Sequence, residues 1–371
     1  MDFIGKQVAK RSGKHQRGKV MDVEGDKLCI LFEGENSIRK FITSISFAGQ
    51  SSYLLCDEIQ EYVNRTILND WKREYNIEYL KHYTDIKNVG SILQNGYLYC
   101  RNLSNDIRIV DSASQSVLNC TDNNIKNYVR LYYKEQTPAL YNMEGIFPYK
   151  RDEKIDPHHM PIPVLLLVDC ELMMHSKVRF TDGGGGNRMS SITDDLCEAL
   201  KFDWEHICKR GEIRSKGLEK KRNINHRNAE FWYPEKIGIE YIKAIVFRTG
   251  AEYDLAVNTI GWDSRYRIDI SYFNDDNKRN FVEKFSVKRI GNVIDIRVEF
   301  YNDKIEPFSH KLKVIVVDDK EYEFDRRSSS IYGDKELSYK ISQNDINENK
   351  LSDVISVEYY LDEHKCAMWK K

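Results

Sequence analysis

Short runs of alternating apolar and polar residues occur at both ends of the chain, which is the period of a β-strand with one buried face. Near the N-terminus, four such runs are separated by turn residues, and Glu24-Gly25-Asp26 has the composition of a hairpin turn. The runs cover residues 7–9, 18–23, 27–32 and 37–41. Strands of this length and spacing predict a small SH3-like or Tudor-like β-barrel over residues 1–55.

A second alternating region begins near residue 258 and predicts a β-rich, sandwich-like domain over residues 255–371. Its strand-like runs cover residues 266–273, 281–287, 293–300, 312–317 and 354–361. No combination of residues in this region is typical of a catalytic site. Binding, or docking of a partner, is therefore the role we expect for it.

Between these regions the pattern changes to helices mixed with strands. Residues 56–78 carry apolar side chains at helical spacing, which predicts a connector helix. After it, a short strand contains His82, and either Thr84 or Asp85 is placed to cap a helix that ends at Gly96. The apolar face of that helix consists of Ile86, Val89, Ile92 and Leu93.

Further strands are predicted at residues 128–133, 163–170 and 242–247, and a helix at residues 195–208. A loop is predicted at residues 182–187, where four glycines follow Asp182. Because glycine lets the backbone approach a ligand closely, we expect a mobile loop beside a binding site. The loop lacks the Gly-Lys-Ser/Thr of a phosphate-binding P-loop, and it lacks the helix and the later carboxylate of a dinucleotide fingerprint.

Residues 209–227 form a strongly basic stretch, with eight Lys or Arg against Glu212 and Glu219, a net charge of +6. We predict a loop there. Such a run is usually a solvated surface, but this one leads directly to Glu230, so we favour contact with phosphates. Glu230 has two interpretations of its own. It is either a surface residue paired with Arg227 or a carboxylate that faces a cleft at a strand edge.

Composition limits the functions that remain. The 371 residues suggest about two or three domains, and the content of 41% hydrophobic and 31% charged residues is that of a soluble globular protein. The net charge of −1 means that affinity for nucleic acid must come from local patches. Residues 6–19 form one further patch, with six Lys or Arg and no acid, and both a solvated strand face and a phosphate contact fit it equally well.

The eight cysteines contain no C-x-x-C pair, and no histidine lies at zinc-finger spacing from them, so no metal site is predicted. Residues 1–7 carry no apolar segment of a signal peptide. The longest apolar run, at residues 164–168, is too short to cross a membrane. We therefore expect reduced thiols, a cytoplasmic protein and no membrane partner.

Four motifs follow one another across residues 79–250. They are His82-Tyr83-Thr84-Asp85-Ile86-Lys87-Asn88, then Tyr128-Val129-Arg130-Leu131-Tyr132-Tyr133 with Thr137-Pro138-Ala139-Leu140-Tyr141, then Phe180-Thr181-Asp182-Gly183 with Asp203-Trp204-Glu205, and finally Arg227-Asn228-Ala229-Glu230-Phe231. In this order they resemble the DarT-like ADP-ribosyltransferases, toxins that attach ADP-ribose from NAD to nucleic-acid bases. The resemblance implies an α+β protein whose central domain, residues 79–254, has the split β-sheet fold of ADP-ribosyltransferases.

The resemblance also implies the roles of single residues. Glu230 is the expected catalytic carboxylate, and the loop at residues 182–187 borders the acceptor. The expected NAD-binding residues are His82, Thr84, Asn88, Tyr132 and Tyr141. The expected contacts with nucleic acid are Asn187, Lys221, Arg222 and Arg227. The family has a catalytic arginine on a helix before the tyrosine-rich strand, and Arg108 or Arg130 is the candidate for that group here.

The chemistry agrees with these residue types. Cleavage of the nicotinamide–ribose bond leaves positive charge on the sugar, and a carboxylate that touches the ribose 2′-hydroxyl stabilises it. A base nitrogen that accepts ADP-ribose must be unpaired. Aromatic side chains for stacking and Lys or Arg for phosphates provide a groove for a single strand.

NAD is thus the expected co-substrate, and single-stranded DNA is the favoured acceptor, with RNA close behind. Two other functions remain open. A protein-directed ADP-ribosyltransferase would use the basic segment to contact a protein, and a non-catalytic nucleic-acid-binding module would consume no NAD. The resemblance further implies an antitoxin partner, within a toxin–antitoxin or phage-defence system.

Overall fold

The chain folds into two compact units, seen in a computed structural model. The first unit comprises Met1–Leu80 and Asp169–Tyr233, and the second comprises Lys81–Val168 and Pro234–Lys371. The structure describes residues 4, 7–10, 17–24, 27–42, 53–55, 65, 68–108, 110–111, 119, 121–146, 160–187, 189–274, 281–301, 309–327, 335–346 and 350–371. Helices and strands alternate through the middle of the chain, and strands dominate its two ends, so the mixed character predicted from the sequence is confirmed.

The N-terminal part of the first unit is an antiparallel sheet with the strand order β4-β3-β2-β1-β5. Its strands are β1 (Gln7–Lys10), β2 (Arg17–Glu24), β3 (Lys27–Phe32), β4 (Arg39–Ile42) and β5 (Tyr53–Leu55). Glu24 pairs with Lys27, so the predicted hairpin is present, although its turn lies outside the described residues. Much of the basic patch at residues 6–19 also lies outside the described residues. The comparison with SH3 and Tudor barrels stays a prediction.

Residues 68–75 are helical and belong to the predicted connector helix, of which residues 56–64 lie outside the described part. Trp71 of this helix is 3% exposed and packs edge-on against Trp204, with ring centroids 4.9 Å apart. Tyr75 lies 6.0 Å from the same ring. These aromatic contacts connect the helix to the later part of the first unit.

That later part contains a three-stranded antiparallel group in the order β11-β10-β12. Its elements are β10 (Arg179–Thr181), β11 (Ile192–Thr193), α3 (Leu196–Ala199), α4 (Trp204–Cys208), α5 (Gly217–His226) and β12 (Glu230–Pro234). Phe180 of β10 lies opposite Phe231 of β12, and both are fully buried. The last residues of α5 therefore lead within a few positions into a strand that is anchored in the core.

Two predictions for this region were wrong. The single helix predicted at residues 195–208 is two short helices, because the Asp203 side chain accepts a hydrogen bond from the His206 N–H and starts a new helix. The basic stretch predicted as a loop contains the helix α5. Its Leu, Glu, Lys and Arg residues are strong helix formers, and the prediction followed charge instead of helix propensity.

The second unit contains strands in the order β8-β6-β9-β14-β15 and a separate pair, β7 with β13. Its elements up to residue 274 are β6 (Tyr79–Asp85), α1 (Ile86–Asn95), β7 (Tyr97–Tyr99), β8 (Tyr128–Tyr132), α2 (Pro138–Met143), β9 (Pro163–Asp169), β13 (Lys236–Gly238), β14 (Ile242–Phe247), α6 (Gly250–Thr259) and β15 (Tyr266–Ile268). Six consecutive residues of β9 are buried, as expected for a strand covered on both faces.

The helix after His82 forms as predicted. Asp85 caps it by accepting a hydrogen bond from the Lys87 N–H at 3.0 Å. The second oxygen of Asp85 accepts from the Ile162 N–H at 3.2 Å, and burial raises the pKa of this carboxyl above its ordinary value. At the other end Gly96 has φ of +75°, a left-handed conformation that glycine adopts without strain.

The described residues from Phe281 onward form two antiparallel sheets, ordered β16-β17-β20 and β19-β18-β21-β22. Their strands are β16 (Val282–Ile290), β17 (Val293–Phe300), β18 (Ser309–Val316), β19 (Glu321–Arg327), β20 (Glu336–Ser342), β21 (Val354–Leu361) and β22 (His364–Lys370). Buried residues of both sheets form one hydrophobic cluster, which also includes Ala251 of α6. Asn258 of α6 donates to the Met368 carbonyl at 2.9 Å, so this helix joins the two parts of the second unit.

Short 3₁₀ helices complete the described elements. They are Arg101–Leu103, Ile125–Asn127, Cys170–Met174, Ile239–Tyr241, Ile270–Tyr272, Val317–Asp319, Gln343–Ile346 and Leu351–Asp353. The strand predicted at residues 266–273 is correct only to Ile268. Asp269 then caps a 3₁₀ turn by accepting from the Ser271 N–H at 3.0 Å.

Candidate active site

Glu230 is the first residue of β12 and is 1% exposed. Its Oε2 accepts a hydrogen bond from Nε1–H of Trp232 at 2.8 Å. Residues two apart on a strand share a face, so the pleat of β12 brings the carboxylate and the indole together. This overturns the interpretation of Glu230 as a surface residue.

The backbone of Glu230 is fixed by the neighbouring strand β10. The hydroxyl oxygen of Thr181 accepts from the Glu230 N–H at 2.9 Å. The same hydroxyl lies 3.0 Å from the Glu230 carbonyl and 2.6 Å from the Gly183 carbonyl, so these two acceptors share its single proton. Thr181 is fully buried. The strand start that carries the carboxylate is therefore anchored by a side chain from the next strand.

The glycine-rich loop lies against the same residues. A β-carbon on Gly185 would be 2.2 Å from Cζ2 of Trp232 and 2.8 Å from Oε2 of Glu230. Because no real side chain tolerates such distances, the close approach requires glycine at this position. The loop was expected to approach a ligand closely, and in the structure its backbone approaches Trp232 and Glu230.

Residues at the end of α5 hold this loop. The N–H of Gly184 donates to Oδ1 of Asn225 at 3.1 Å, and the hydroxyl of Ser190 donates to the Gly184 carbonyl at 3.0 Å. Nδ1–H of His226 donates to the Asp182 carbonyl at 2.9 Å. The loop that was expected to be mobile is thus held through Asp182 and Gly184 by the end of α5 and by Ser190.

The four residues predicted to contact nucleic acid differ in exposure. Lys221 and Arg222 lie on α5 and are exposed, as is Asn187, whose Oδ1 accepts from the Met189 N–H at 3.0 Å. Arg227 is only 7% exposed and donates to the Gly211 carbonyl, and burial lowers the pKa of its guanidinium. The burial of Arg227 argues against direct phosphate contact and for a bracing role within the basic segment.

A second group of predicted residues belongs to the second unit and begins with His82 on β6. Nδ1 of His82 lies 3.0 Å from the Arg130 carbonyl. A carbonyl only accepts, so Nδ1 carries the hydrogen, and Nε2 of the neutral ring is an acceptor. Burial lowers the pKa of His82 below its ordinary value, and the Arg130 charge acts in the same direction. His82 is therefore neutral at neutral pH and able to accept a hydrogen bond from a hydroxyl.

Thr84 and Asn88 act as a pair that holds another part of the chain. The Asn88 amide donates to Oγ1 of Thr84 at 3.1 Å and to the Val110 carbonyl at 3.0 Å. Its Oδ1 accepts from the Val110 N–H at 3.0 Å. The amide thus pairs with Val110 as a strand neighbour would. Both side chains are buried, and their hydrogen bonds place residues 110–111.

Next to this position, two arginines share one carboxylate. Arg101 donates two hydrogen bonds to Asp111, at 2.7 and 2.6 Å, and Nη2 of Arg108 lies 3.4 Å from the same carboxylate. Burial lowers the pKa of Arg108, and Asp111 opposes that effect. The group carries a net positive charge. Neither Arg101 nor Asp111 was identified from the sequence, and residues 112–118, which follow Asp111, lie outside the described residues.

Arg130 and Tyr132 lie on one face of β8, where half-buried and fully buried residues alternate. The ring of Tyr132 is 5.8 Å from that of Tyr83. Tyr141 lies on the short helix α2 and is 42% exposed, and Thr137 caps this helix by accepting from the Leu140 N–H at 3.1 Å. Both predicted tyrosines are therefore at least partly accessible to a ligand.

Two further results concern metals and membranes. Within the described ranges, no group of three or more His, Cys, Asp or Glu side chains is arranged to hold a metal ion. None of the helices in those ranges is long and apolar enough to cross a membrane. The described cysteines Cys29, Cys100, Cys170, Cys208 and Cys366 are free thiols.

Comparison with protein families gives the decisive observation. The family model for DarT, described as ssDNA thymidine ADP-ribosyltransferase, matches residues 81–274, just over half of the chain. The chain belongs to the DarT family. The predicted resemblance and the predicted class of enzyme, an ADP-ribosyltransferase that uses NAD, are therefore confirmed. Both groups of residues above lie inside the matched range.

Solved structures of other DarT proteins are similar to part of this chain. Thermus sp. 2.9 DarT in complex with ADP-ribosylated ssDNA shares 17% identity over 53% of this chain and 97% of its own, with a TM-score of 0.43. The same protein in complex with NAD+ shares 17% identity over 53% of this chain and 98% of its own, with a TM-score of 0.41. Thermosipho africanus DarTG in complex with ADP-ribose shares 17% identity over 55% of this chain and 53% of its own, with a TM-score of 0.41. At such distances the roles of single residues do not follow from the similarity. The comparison with curated protein sequences found no match.

Proposed function

We propose that this DarT family member transfers ADP-ribose from NAD to a base nitrogen of single-stranded DNA, with Glu230 as the catalytic carboxylate. The observation that supports this most strongly is the buried Glu230 side chain, held by Trp232 and by the Thr181-anchored strand start inside the matched range. A preorganised carboxylate in a low-dielectric environment stabilises positive charge without rearranging.

In the proposed reaction the bond between C1′ of the ribose and the nicotinamide nitrogen breaks, and its electron pair leaves with nicotinamide. The lone pair of the acceptor nitrogen then forms the new bond to C1′. If that nitrogen carries a proton, as N3 of thymine does, Glu230 accepts it. Between these events the sugar carries oxocarbenium character, which Glu230 stabilises through the 2′-hydroxyl.

The residues around His82 are proposed to bind NAD. Nε2 of neutral His82 accepts a hydrogen bond from a ribose hydroxyl, and Tyr132 and Tyr141 border the nicotinamide. Thr84 and Asn88 act in this proposal by placing residues 110–111, since their own hydrogen bonds go to Val110 and to each other.

Two arginines remain candidates for the group that contacts the pyrophosphate. Arg108 belongs to the cluster with Arg101 and Asp111, which carries a net positive charge. Arg130 is linked to the proposed ribose-binding residue, because its carbonyl accepts from His82. Separate replacement of each by alanine, followed by measurement of the Michaelis constant for NAD, distinguishes the two.

The exposed face of α5 is proposed to contact the phosphates of the single strand. Lys216, Lys220, Lys221 and Arg222 are all exposed on this helix or directly before it. Leu218 on the same helix is 83% exposed. Clustered cations bind a phosphate backbone, while an unpaired strand leaves its bases accessible to the reaction.

The experiment that tests the proposal uses NAD labelled in its adenosine part. The protein is incubated with NAD and with separate pools of single-stranded DNA, duplex DNA, RNA and protein. Label on single-stranded DNA supports the proposal. Label on RNA instead makes RNA the acceptor, label on protein supports the protein-directed enzyme, and unconsumed NAD supports the binding module.

We also propose that the protein acts as a toxin that a partner protein neutralises, in a toxin–antitoxin or phage-defence system. The C-terminal sheets are the proposed docking surface, and Ile290 on β16 is 61% exposed there. Expression should then arrest growth, and co-expression of the adjacent gene should relieve the arrest. An Ile290→Asp variant that stays toxic and escapes relief supports this surface, and full relief of that variant argues against it.

A further inference from the structure

The indole of Trp232 bonds directly to the proposed catalytic carboxylate. Nε1–H of Trp232 donates to Oε2 of Glu230 at 2.8 Å, and the two residues are 3% and 1% exposed. A hydrogen bond to an ionised acceptor is roughly twice as strong as one between neutral groups, and burial excludes the competing water. The bond therefore selects one orientation of the carboxylate.

The glycine loop closes over this pair. With a β-carbon on Gly185, contacts of 2.2 Å to the indole and 2.8 Å to Oε2 of Glu230 would result. The backbone of the loop thus covers both partners at once. Asn225 and Ser190 hold the loop in this place through Gly184. The indole has no room to turn away from the carboxylate while the loop stays closed.

We infer that Trp232 is a positioning residue that holds the Glu230 carboxylate in a single orientation. This inference rests on the proposed role of Glu230. A carboxylate accepts about four hydrogen bonds through its two oxygens, so the bond to Trp232 leaves acceptor capacity for a sugar hydroxyl.

The first test reads the contact without any enzymatic assay. The chain has five tryptophans, so ¹⁵N-labelled protein gives a small set of indole N–H signals, and Trp232→Phe identifies the relevant one. We expect that signal to move in Glu230→Gln, because this substitution replaces the charged acceptor with a neutral amide. A Trp232 signal that does not respond to Glu230→Gln overturns the inference.

The second test measures turnover. Trp232→Phe removes the donor and keeps an aromatic ring, and replacement of the indole by benzothiophene removes the N–H at nearly constant shape. We expect each to lower kcat by about 10- to 100-fold, the range for a hydrogen bond to a charged group, with little change in KM for NAD.

Tyr233→Phe is the matched control, because it removes a hydroxyl that bonds to His175 at 3.0 Å on the adjacent residue. It should keep the kcat of the unmodified protein. An unchanged kcat in the benzothiophene protein overturns the positioning role. If the indole signal responds to Glu230→Gln as expected but the unmodified protein transfers no ADP-ribose, the proposed function fails, and the contact between Trp232 and Glu230 is still established.

Discussion

The hydroxyl of Thr181 accepts a hydrogen bond from the backbone N–H of Glu230 at 2.9 Å and lies 3.0 Å from its carbonyl. Thr181 is the last residue of β10 and Glu230 is the first residue of β12. The regular pairing of these strands joins Arg179 with Trp232 and Phe180 with Phe231. The side chain of Thr181 thus extends the contact between the two strands by one residue. That residue is Glu230, the candidate catalytic carboxylate.

Thr181→Val should destabilise the protein, since it keeps the shape of the side chain and leaves the buried Glu230 N–H without this acceptor. The expected loss in the free energy of unfolding is about 1–3 kcal/mol, measured by urea denaturation. Thr181→Ser restores the hydroxyl and should recover most of the loss. Equal stability of Thr181→Val and the unmodified protein would show that the hydroxyl is not needed.

Substitutions in the glycine loop should have unequal effects at adjacent positions. Gly185→Ala forces a β-carbon against Trp232 and Glu230. A β-carbon on Gly184 would lie 3.5 Å from the Asn228 side chain and 3.7 Å from Oδ1 of Asn225, which are ordinary contacts. We expect Gly185→Ala to reduce ADP-ribosyl transfer strongly and Gly184→Ala to leave it near normal. Transfer assays on the two purified variants check this. Similar activity in both would mean that the loop does not lie against the carboxylate during turnover.

Acid should act on the protein through His82. Burial lowers the pKa of His82 below its ordinary value of 6.5, so on acidification the unfolded chain takes up this proton before the folded chain does. Stability from this residue is complete above pH 6.5 and is lost as the pH falls below it. Urea denaturation between about pH 7 and pH 5 should show a smaller loss in His82→Gln than in the unmodified protein.

The same titration should appear in the kinetics. Protonation of His82 converts Nε2 from an acceptor into a donor, so KM for NAD should rise once the pH falls below the lowered pKa of His82. A KM that stays constant down to the pH of unfolding would remove His82 from the proposed contact with ribose.

The basic face of α5 should control affinity for single strands. The double variant Lys221→Ala, Arg222→Ala should weaken binding to single-stranded DNA and make the salt dependence shallower by about 0.7 for each phosphate that is no longer neutralised. Lys288→Ala, Arg289→Ala is the matched control, because it removes an exposed Lys-Arg pair from β16. Fluorescence anisotropy at several salt concentrations measures both. If the two variants lose affinity equally, the loss reflects the net charge of the protein and not a DNA contact made by α5.

Local sequence signals were sufficient where one segment determines its own structure. The helix after His82 was predicted from its apolar spacing and from Gly96, and the buried strand β9 from its run of apolar residues. For α5 the same kind of information was present, but the weight given to charge led to the prediction of a loop. Helix propensity is the better guide for a segment rich in Leu, Glu, Lys and Arg.

Contacts between segments that are distant along the chain could not be predicted from the sequence. Thr181 and Glu230 are separated by 49 residues, and only the pairing of β10 with β12 shows that they bond. Asn88 was expected in the NAD pocket, yet its amide pairs with Val110, which lies 22 residues away. Trp232 is different, because a strand starting at Glu230 already implies that residues 230 and 232 share a face. That alternation was the available signal for Trp232.

The most direct measurement of the central claim is mass spectrometry of nucleosides released from single-stranded DNA after incubation with NAD. The unmodified protein should produce a nucleoside whose mass has increased by one ADP-ribose. Glu230→Gln should reduce its yield about 100- to 1,000-fold, whereas Glu235→Gln, at an exposed carboxylate five residues later, should not. Undiminished product from Glu230→Gln, or no modified nucleoside from the unmodified protein, would contradict the account.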